Sequence, residues 1–265
     1  MNFKNKLRKL LNKNNFDTPE INEISRISKI PRFQYGVTEI LNSQVAFVDS
    51  ASFLGSYDEI FKKEVYKFNA DDSKPLTIID CGANIGLATL YFKLNYSNVR
   101  ILAYEPDPNI FSVLKKNIES FNLKNVELFN EAIGIKKEKL FFNMEGGHSG
   151  MIVKEPSNKT VSVNVTPLRD ILKDLECIDF LKIDIEGYEI NVLPDIIKDL
   201  KKVNVLFLEY HTFINEQQEL SKIFRIIEQA GFRYYIKEAG YKKSPFIERE
   251  LFYKMDMLVN IFCYR

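Results

Sequence analysis

Four acidic residues and one histidine can accept a proton or bind a cation. Asp184, Glu186 and Glu189 lie at the end of one predicted strand, and Glu209 and His211 follow the next. Strand alternation puts Asp184 and Glu186 on one side, and likewise Glu209 and His211. Since a carboxylate or imidazole can deprotonate a weak nucleophile such as a hydroxyl, we interpret Asp184 and His211 as base candidates. Glu209 would orient His211 or the substrate.

These residues have alternative roles. Glu189 begins a predicted helix, where a carboxylate caps the helix or pairs with its dipole. His211 could be a satisfied loop histidine. Asp184, Glu186, Glu209 and His211 could also form an oxygen-rich Mg²⁺ site, although their spacing does not require one.

A second set of residues forms a turn between a strand and a helix. Residues 77–92 read TIIDCGANIGLATLYF, an apolar strand, a glycine turn and the start of a helix. Such a turn favours a nucleotide-like ligand. The dinucleotide fingerprint needs glycine at its first, third and sixth places, which here hold Gly82, Asn84 and Leu87. The turn therefore predicts a nucleotide site of another kind.

Two acids follow the next strands. Glu105 ends the strand after the turn, where a carboxylate can accept both ribose hydroxyls. Glu131 and Ala132 come after the third strand, where an acid could accept the adenine amino group. Together with Asp80, this set matches S-adenosylmethionine binding.

The elements that position both sets alternate in type. From residue 76, strands alternate with helices, which predicts a mainly parallel sheet covered on both faces. Ligands bind such sheets at the carboxyl ends of the strands, so we expect both sets at one edge. Residues 232–236 and 255–264 are predicted to pair as a late antiparallel hairpin.

Residues 1–75 are predicted to form an N-terminal extension of a main domain at 76–265. A basic helix in 1–15 could touch an acidic membrane surface or dock on the domain. A hairpin and a helix follow. Asp49, Phe53 and Tyr57 could form a substrate lid, although packing explains Phe53 better. His148 and Ser149 could line the substrate pocket or belong to a surface hairpin.

Composition narrows the function classes. The 37 Lys and Arg residues balance 36 Asp and Glu, which predicts no nucleic-acid partner. Three widely spaced cysteines suggest neither a disulfide framework nor a zinc site. No apolar run is long enough to span a membrane. We expect a cytoplasmic protein, with membrane-surface contact only through 1–15, and leave its oligomeric state open.

The ordered motifs resemble the FkbM family of methyltransferases over about residues 45–265. They are IIDCGANIG, AYEPDP, NEAIG, FLKIDIEGYE, LEYH and DMLVNIF. The resemblance implies an α/β, Rossmann-like class I methyltransferase with a seven-stranded, mostly parallel sheet. It also implies S-adenosylmethionine as cofactor, and O-methylation of hydroxyls on sugars, surface glycans or polyketides.

Residue by residue, the resemblance implies three cofactor contacts. The methionine part would be held by Asp80, Gly82, Asn84 and Gly86, the ribose by Glu105, and the adenine by Glu131 and Ala132. Cys81 and Tyr188 depart mildly from the commonest residues, Val or Ile and Ala. The expected acceptor is a sugar or cell-surface glycan hydroxyl, and a polyketide or other small molecule is the alternative. A nicotinamide-dependent oxidoreductase and a non-catalytic cofactor-binding module are alternatives of other classes.

Overall fold

The computed structural model describes residues 19–71, 73–143, 151–153, 160–251 and 254–265. The predictions for the basic helix 1–15 and for His148 and Ser149 lie outside these residues.

Helices alternate with strands in parts of the chain, and elsewhere several strands follow one another. The helices are α1 (Pro19–Ser28), α2 (Ser50–Tyr57), α3 (Leu87–Asn95), α4 (Pro108–Ser120), α5 (Leu168–Leu172), α6 (Glu189–Asp195) and α7 (Leu220–Gln229). The strands are β1 (Gly36–Thr38), β2 (Val45–Phe47), β3 (Leu76–Cys81), β4 (Val99–Tyr104), β5 (Val126–Phe129), β6 (Glu131–Gly134), β7 (Glu138–Asn143), β8 (Met151–Val153), β9 (Thr160–Pro167), β10 (Ile178–Ile183), β11 (Val203–Phe213), β12 (Arg233–Glu238) and β13 (Met255–Tyr264). A π-helical turn, Asp58–Lys62, continues α2.

The main sheet has seven strands in the order β12-β13-β11-β10-β3-β4-β5. The strands from β11 to β5 are parallel, whereas β13 runs antiparallel to both β11 and β12. This confirms the predicted α/β class, the mostly parallel sheet and the late antiparallel hairpin. The carboxyl ends of β3, β4, β10 and β11 lie at one edge, where the predicted ligand residues follow.

Two smaller sheets accompany the main one. Strands β6, β9, β7 and β8 form a four-stranded sheet, and Glu131 and Ala132, which follow β5, are the first two residues of β6. The predicted hairpin near the N-terminus is confirmed, because β1 and β2 pair antiparallel with Gly36 opposite Phe47. Its turn includes Asn42 at φ 62°.

Local signals set the ends of two helices. The Asp107 carboxylate caps α4 by accepting from the N–H of Asn109 at 2.8 Å, and Pro108 occupies the first turn. Helix α6 contains Pro194 and ends at Asp195, because proline lacks the N–H donor that continues a helix.

A run of aromatic rings joins the N-terminal segment to the main core. Phe47 stacks on Phe53 at 5.0 Å between centroids, and Tyr57 and Phe61 continue the run to Tyr91 of α3. Phe53 is 1% exposed, which confirms that packing explains it.

Asn117 of α4 provides a polar link between the same regions. Its amide bonds to the backbone N–H and carbonyl of Ala46 in β2 and donates to the carbonyl of Ile85 at 2.8 Å. The boundary between residues 75 and 76 stays a prediction. Within the described part of the chain, no helix is long and apolar enough to cross a membrane.

Candidate active site

The turn after β3 touches the loop after β10. The two strands are parallel neighbours, and Asp184 donates its backbone N–H to the carbonyl of Cys81 at 3.1 Å. Gly82 has φ +81°, and a Cβ there would lie 1.8 Å from the Asp184 carbonyl oxygen. Gly82 is therefore required by this backbone contact, which joins the predicted cofactor and catalytic residues.

The other turn residues are also fixed by the protein. Gly86 has φ +92°, and a Cβ there would lie 2.5 Å from Cδ1 of Leu114. Asn84 has φ 50°, and its side-chain oxygen accepts from the N–H of Ile85. Both glycines are therefore required by contacts within the protein. Contact of these residues with the methionine part stays a prediction.

Sequence reasoning missed Lys182. This side chain is 4% exposed, and its Nζ lies 3.3 Å from Asp80 Oδ1 and 3.2 Å from Asp184 Oδ2. It also donates to the carbonyl of Gly82 at 2.8 Å. A lysine inside the apolar strand FLKIDI, two positions before an aspartate, was the available signal, because lysine is rarely buried without a partner.

The ion pair between Lys182 and Asp184 resists neutralisation. Burial by itself lowers the pKa of Lys182, but Asp184 and Asp80 raise it well above its usual value. Burial likewise favours the neutral form of Asp184, yet the positive Lys182 and His211 hold its pKa below its usual value. Both groups of the pair are therefore charged at neutral pH.

Asp80 is a buried carboxylate whose two oxygens have different partners. Its Oδ2 accepts from the hydroxyl of Thr89 at 2.9 Å, whereas its Oδ1 makes no hydrogen bond with any described residue. This Oδ1 lies 3.3 Å from the Lys182 ammonium, which pairs with it by charge. Because Asp80 has no exposed surface, its direct contact with the methionine part of S-adenosylmethionine stays a prediction.

Glu105 lies next to the turn, immediately after β4. Its two oxygens accept from the backbone N–H groups of Asn84 and Asp107, each at 2.9 Å. Burial raises the pKa of Glu105 to about 8, in spite of these two hydrogen bonds. The position fits the ribose role, which stays a prediction. Glu131 accepts from the hydroxyl of Thr166, and its adenine role with Ala132 is likewise untested.

Strand β11 is longer than predicted. It extends to Phe213, so Glu209 and His211 lie within the strand and not after it. The reason is the pairing with β13, which continues beyond Glu209 as far as Phe213. The alternation of side chains still puts Glu209 and His211 on one face.

Glu189 is the closest acidic partner of His211. Its Oε1 lies 3.2 Å from Nδ1 of the ring, whereas Nε2 lies 3.5 Å from Glu186 and 3.6 Å from Glu209. Glu189 also accepts from the N–H groups of Ile185 and Gly187 in the loop before α6, so it holds that loop, and its expected capping role stays a prediction. Sequence reasoning assigned the orientation of His211 to Glu209, which is the more distant acid.

These side chains strongly perturb one another. Burial disfavours the charged form of His211, but Glu189 and the two other acids raise its pKa well above the usual value. Burial raises the pKa of Glu186 to about 8 and that of Glu209 well above its usual value. Perturbed titrations of this kind concentrate at functional sites.

The predicted metal ligands are partly brought together. One ligand atom each from Asp184, Glu186 and His211 lies within 4.8 Å of the others, and Glu209 is outside this set. A cation and a proton on His211 would exclude each other. The Mg²⁺ hypothesis stays a prediction.

A cavity of about 560 Å³ opens over this cluster. Asp184, Glu186, Glu209 and His211 line one side of it. The other side is formed by α2 and the turn that follows it.

The face of α2 towards the cavity differs from the predicted lid. Ser52, Gly55 and Ser56 line the cavity. Asp49 instead accepts from Arg32 Nε at 2.6 Å and caps α2, while Phe53 and Tyr57 pack in the core. The predicted lid residues therefore do not face the cavity, because they cap the helix or fill the core.

Comparison with known proteins decides the family. A profile described as the methyltransferase FkbM domain matches residues 80–234, more than half of the chain. The chain belongs to the FkbM methyltransferase family. This FkbM protein is therefore a methyltransferase with S-adenosylmethionine as cofactor, as the motifs predicted, and the nicotinamide alternative is set aside.

Named relatives support this assignment. Methyltransferase 1 of Beauveria bassiana (strain ARSEF 2860) is 30% identical over 163 residues, 51% of this FkbM chain and 66% of that protein. The 31-O-demethyl-FK506 methyltransferase FkbM of Streptomyces tacrolimicus is 24% identical over 223 residues, 71% of this chain and 85% of that one.

A solved structure has a similar fold. It is methyltransferase FkbM from Methylobacillus flagellatus KT, with a TM-score of 0.50 and 14% identity. The match covers 91% of this chain and 58% of that one. This chain thus spans less than two thirds of that structure and of the Beauveria protein.

Proposed function

We propose that this FkbM methyltransferase transfers a methyl group to a hydroxyl oxygen of a sugar or glycan. The observation that carries the proposal is the position of Asp184. Its side chain lines the 560 Å³ cavity, and its backbone lies against Gly82 of the cofactor turn. An acceptor in the cavity would therefore lie beside the cofactor.

When bound, S-adenosylmethionine would supply a methyl group on a positively charged sulfur: the acceptor oxygen would bond to the methyl carbon as the carbon–sulfur bond breaks, leaving S-adenosylhomocysteine. The protein must hold the hydroxyl in line and remove its proton. His211 is placed for the proton, because Glu189 occupies Nδ1 and Nε2 is turned towards the acids of the cavity. In this role Glu189 stabilises the imidazolium that forms. A positioned base contributes about 10² to 10⁴ in rate.

Asp184 is the second base candidate. It is charged at neutral pH because Lys182 and His211 lower its pKa against the effect of burial. The same ion pair weakens it as a base, since Lys182 stabilises the carboxylate. We therefore favour His211 and assign Asp184 to holding the acceptor hydroxyl.

The polarity of the cavity supports a polyhydroxylated acceptor. Besides the catalytic cluster, charged side chains of Arg32, Lys63, Glu59 and Lys237 line it. A hydroxyl on a polyketide or other small molecule is the second candidate. The name of the Streptomyces relative, a 31-O-demethyl-FK506 methyltransferase, favours this one.

The setting of the reaction is part of the proposal. We place it in the cytoplasm, where thiols such as the free Cys81, Cys177 and Cys263 stay reduced. The even charge balance supports the absence of a nucleic-acid partner. Contact with a membrane surface would depend on residues 1–15, and deletion of this segment should abolish any binding to anionic vesicles.

The test is methyl transfer from S-adenosylmethionine carrying a ¹³C-labelled methyl group. The acceptors are free sugars, a cell-envelope glycan fraction and a hydroxylated macrolide, with an amine and a carboxylic acid for comparison. We expect a new methyl signal at an O-methyl shift in the sugar or glycan samples. Transfer only to nitrogen or carboxylate, by protein that binds S-adenosylhomocysteine in calorimetry, would refute the proposal.

A further inference from the structure

Asn260 is a buried amide with an unsatisfied atom. It is 2% exposed, and its Oδ1 has no hydrogen-bond partner in the described part of the chain. Since the two ends of an amide are assigned from their partners, the unsatisfied atom is either the oxygen or the nitrogen. Buried polar groups of native proteins are nearly always paired, so this one needs an explanation.

The location of Asn260 suggests which partner its unsatisfied amide atom would bind. Asn260 lines the 560 Å³ cavity together with Glu209 and His211. In the sheet it lies opposite Glu209 of β11 and opposite Lys237 of β12. Directly opposite residues of antiparallel strands project from the same face with Cβ atoms about 4.5–5.5 Å apart. A carboxyl, an amide and an ammonium group thus form one row across the floor of the cavity.

The three side chains of this row differ in how many further hydrogen bonds they can form. Lys237 donates to Glu59 Oε1 at 2.9 Å, so one of its three N–H donors is engaged. The carboxyl group of Glu209 lies beside Asp184 and His211, with Oε2 3.6 Å from Nε2 of the ring, and its other oxygen can form a hydrogen bond with another partner. The unsatisfied group of Asn260 and this oxygen are therefore adjacent hydrogen-bonding positions.

The next row of the sheet is apolar. Phe207 is opposite Phe262, which is opposite Tyr235, and the ring centroids are 5.2 and 6.1 Å apart. Phe207 also lines the cavity. The polar row thus borders an aromatic one, a combination that suits a ring with hydroxyls on its edge and C–H groups on its face.

We propose that Asn260 and Glu209 bind a hydroxyl adjacent to the one that is methylated, so that the acceptor carries hydroxyls on neighbouring carbon atoms. The inference rests on the proposed function and sharpens its acceptor class to a vicinal diol. Asn260 acts as a positioning residue and takes no part in proton transfer. The methylated hydroxyl would lie towards Asp184 and His211, in the same cavity.

The test compares two small probes, cis-1,2-cyclohexanediol and cyclohexanol, with the full chain loaded with S-adenosylhomocysteine. Saturation-transfer NMR titrations give the affinity of each. Because one lost hydrogen bond is worth about tenfold in affinity, we expect wild type to prefer the diol by about tenfold. In Asn260→Leu the preference should fall to about twofold or less, while the melting temperature stays the same or rises, since an unsatisfied polar group is removed.

Two further variants make the result specific. Asn260→Ser shortens the side chain without adding bulk and should also lose the preference, even where the leucine variant folds poorly. Asn204→Leu makes the same amide-to-leucine change at the exposed, opposite end of β11. This variant should keep the preference for the diol over cyclohexanol.

The outcomes separate this inference from the proposed function. Equal binding of both probes to wild type, binding of neither, or a preference retained in both Asn260 variants would overturn the diol site. A lost preference in those variants supports it, whatever the methyl-transfer assay shows. Failure of hydroxyl methylation with an intact diol preference would refute only the proposed function.

Discussion

The carboxylate of Glu189 lies 3.2 Å from Nδ1 of His211, and the same carboxylate accepts from the N–H groups of Ile185 and Gly187. One acid therefore holds both the loop after β10 and the imidazole ring on β11. A carboxylate at Nδ1 fixes the ring's orientation and stabilises its protonated form. Nε2 is the nitrogen left for an acceptor.

Glu189→Gln should weaken the interaction between residue 189 and Nδ1 of His211. Because the negative charge of Glu189 raises the pKa of His211, its removal should lower that pKa. Above the pKa of His211, where the ring is neutral in both proteins, turnover should still fall by at least about tenfold, because the ring loses the carboxylate that stabilises its protonated form, and by no more than the 10² to 10⁴ that a positioned base contributes. NMR titration of the histidine rings measures the pKa, and His148 is an internal reference, since the chain has two histidines. Glu216→Gln, an exposed glutamate, is the control; an unchanged His211 pKa in Glu189→Gln would refute the coupling.

The pH dependence of the rate should identify the base. The pKa of His211 is raised, so if its neutral form accepts the proton, kcat/KM rises with pH up to that pKa and levels off above it. The pKa of Asp184 is lowered, so an Asp184 base would give a flat profile near neutrality that falls only in acid. We expect the rising profile, which continues above neutrality because the acids around His211 raise its pKa. A flat one, with Asp184→Asn inactive, would transfer the role to Asp184.

Chelation should leave activity intact. The acids around His211 favour a proton on its ring, and the Lys182 ammonium lies 3.2 Å from Asp184, so positive charge is already present where Mg²⁺ would bind. The assay compares protein treated with a chelator and dialysed against protein with Mg²⁺ added back. Loss of activity that Mg²⁺ restores would instead establish a metal at Asp184, Glu186 and His211.

Local patterns predicted the elements better than the contacts between them. Asp107 and Pro108 specify the start of a helix from adjacent residues, so the sequence sufficed. The partnership of Glu189 and His211 joins two elements, and only the packing of α6 against β11 creates it. Likewise the extension of β11 past Glu209 depends on β13, which follows much later in the chain.

Lys182 should be essential for stability. Lys182→Met leaves Asp80 and Asp184 without their shared cation, and breaking a buried ion pair from one side costs about 3–5 kcal/mol. Denaturant unfolding measures the loss. Lys67→Met is the matched control, because this exposed lysine pairs with Glu64 at the surface and should cost about 1 kcal/mol or less. Equal losses of unfolding free energy in the two variants would show that the buried ion pair stabilises the protein no more than a surface pair does.

Gly82→Ala tests the contact between the cofactor turn and the Asp184 loop. The new Cβ would lie 1.8 Å from the Asp184 carbonyl oxygen, so the backbone of the loop must move, and φ +81° adds strain. We expect a loss of more than about 1 kcal/mol in stability and, since a shift of about 1 Å can cost 10² in rate, a turnover about a hundredfold lower. Gly55→Ala is the opposite case. Nothing lies within 4 Å of a Cβ there, and its helical position predicts a gain of about 0.5–1 kcal/mol. If Gly82→Ala matched Gly55→Ala in stability and turnover, the two loops would not depend on each other.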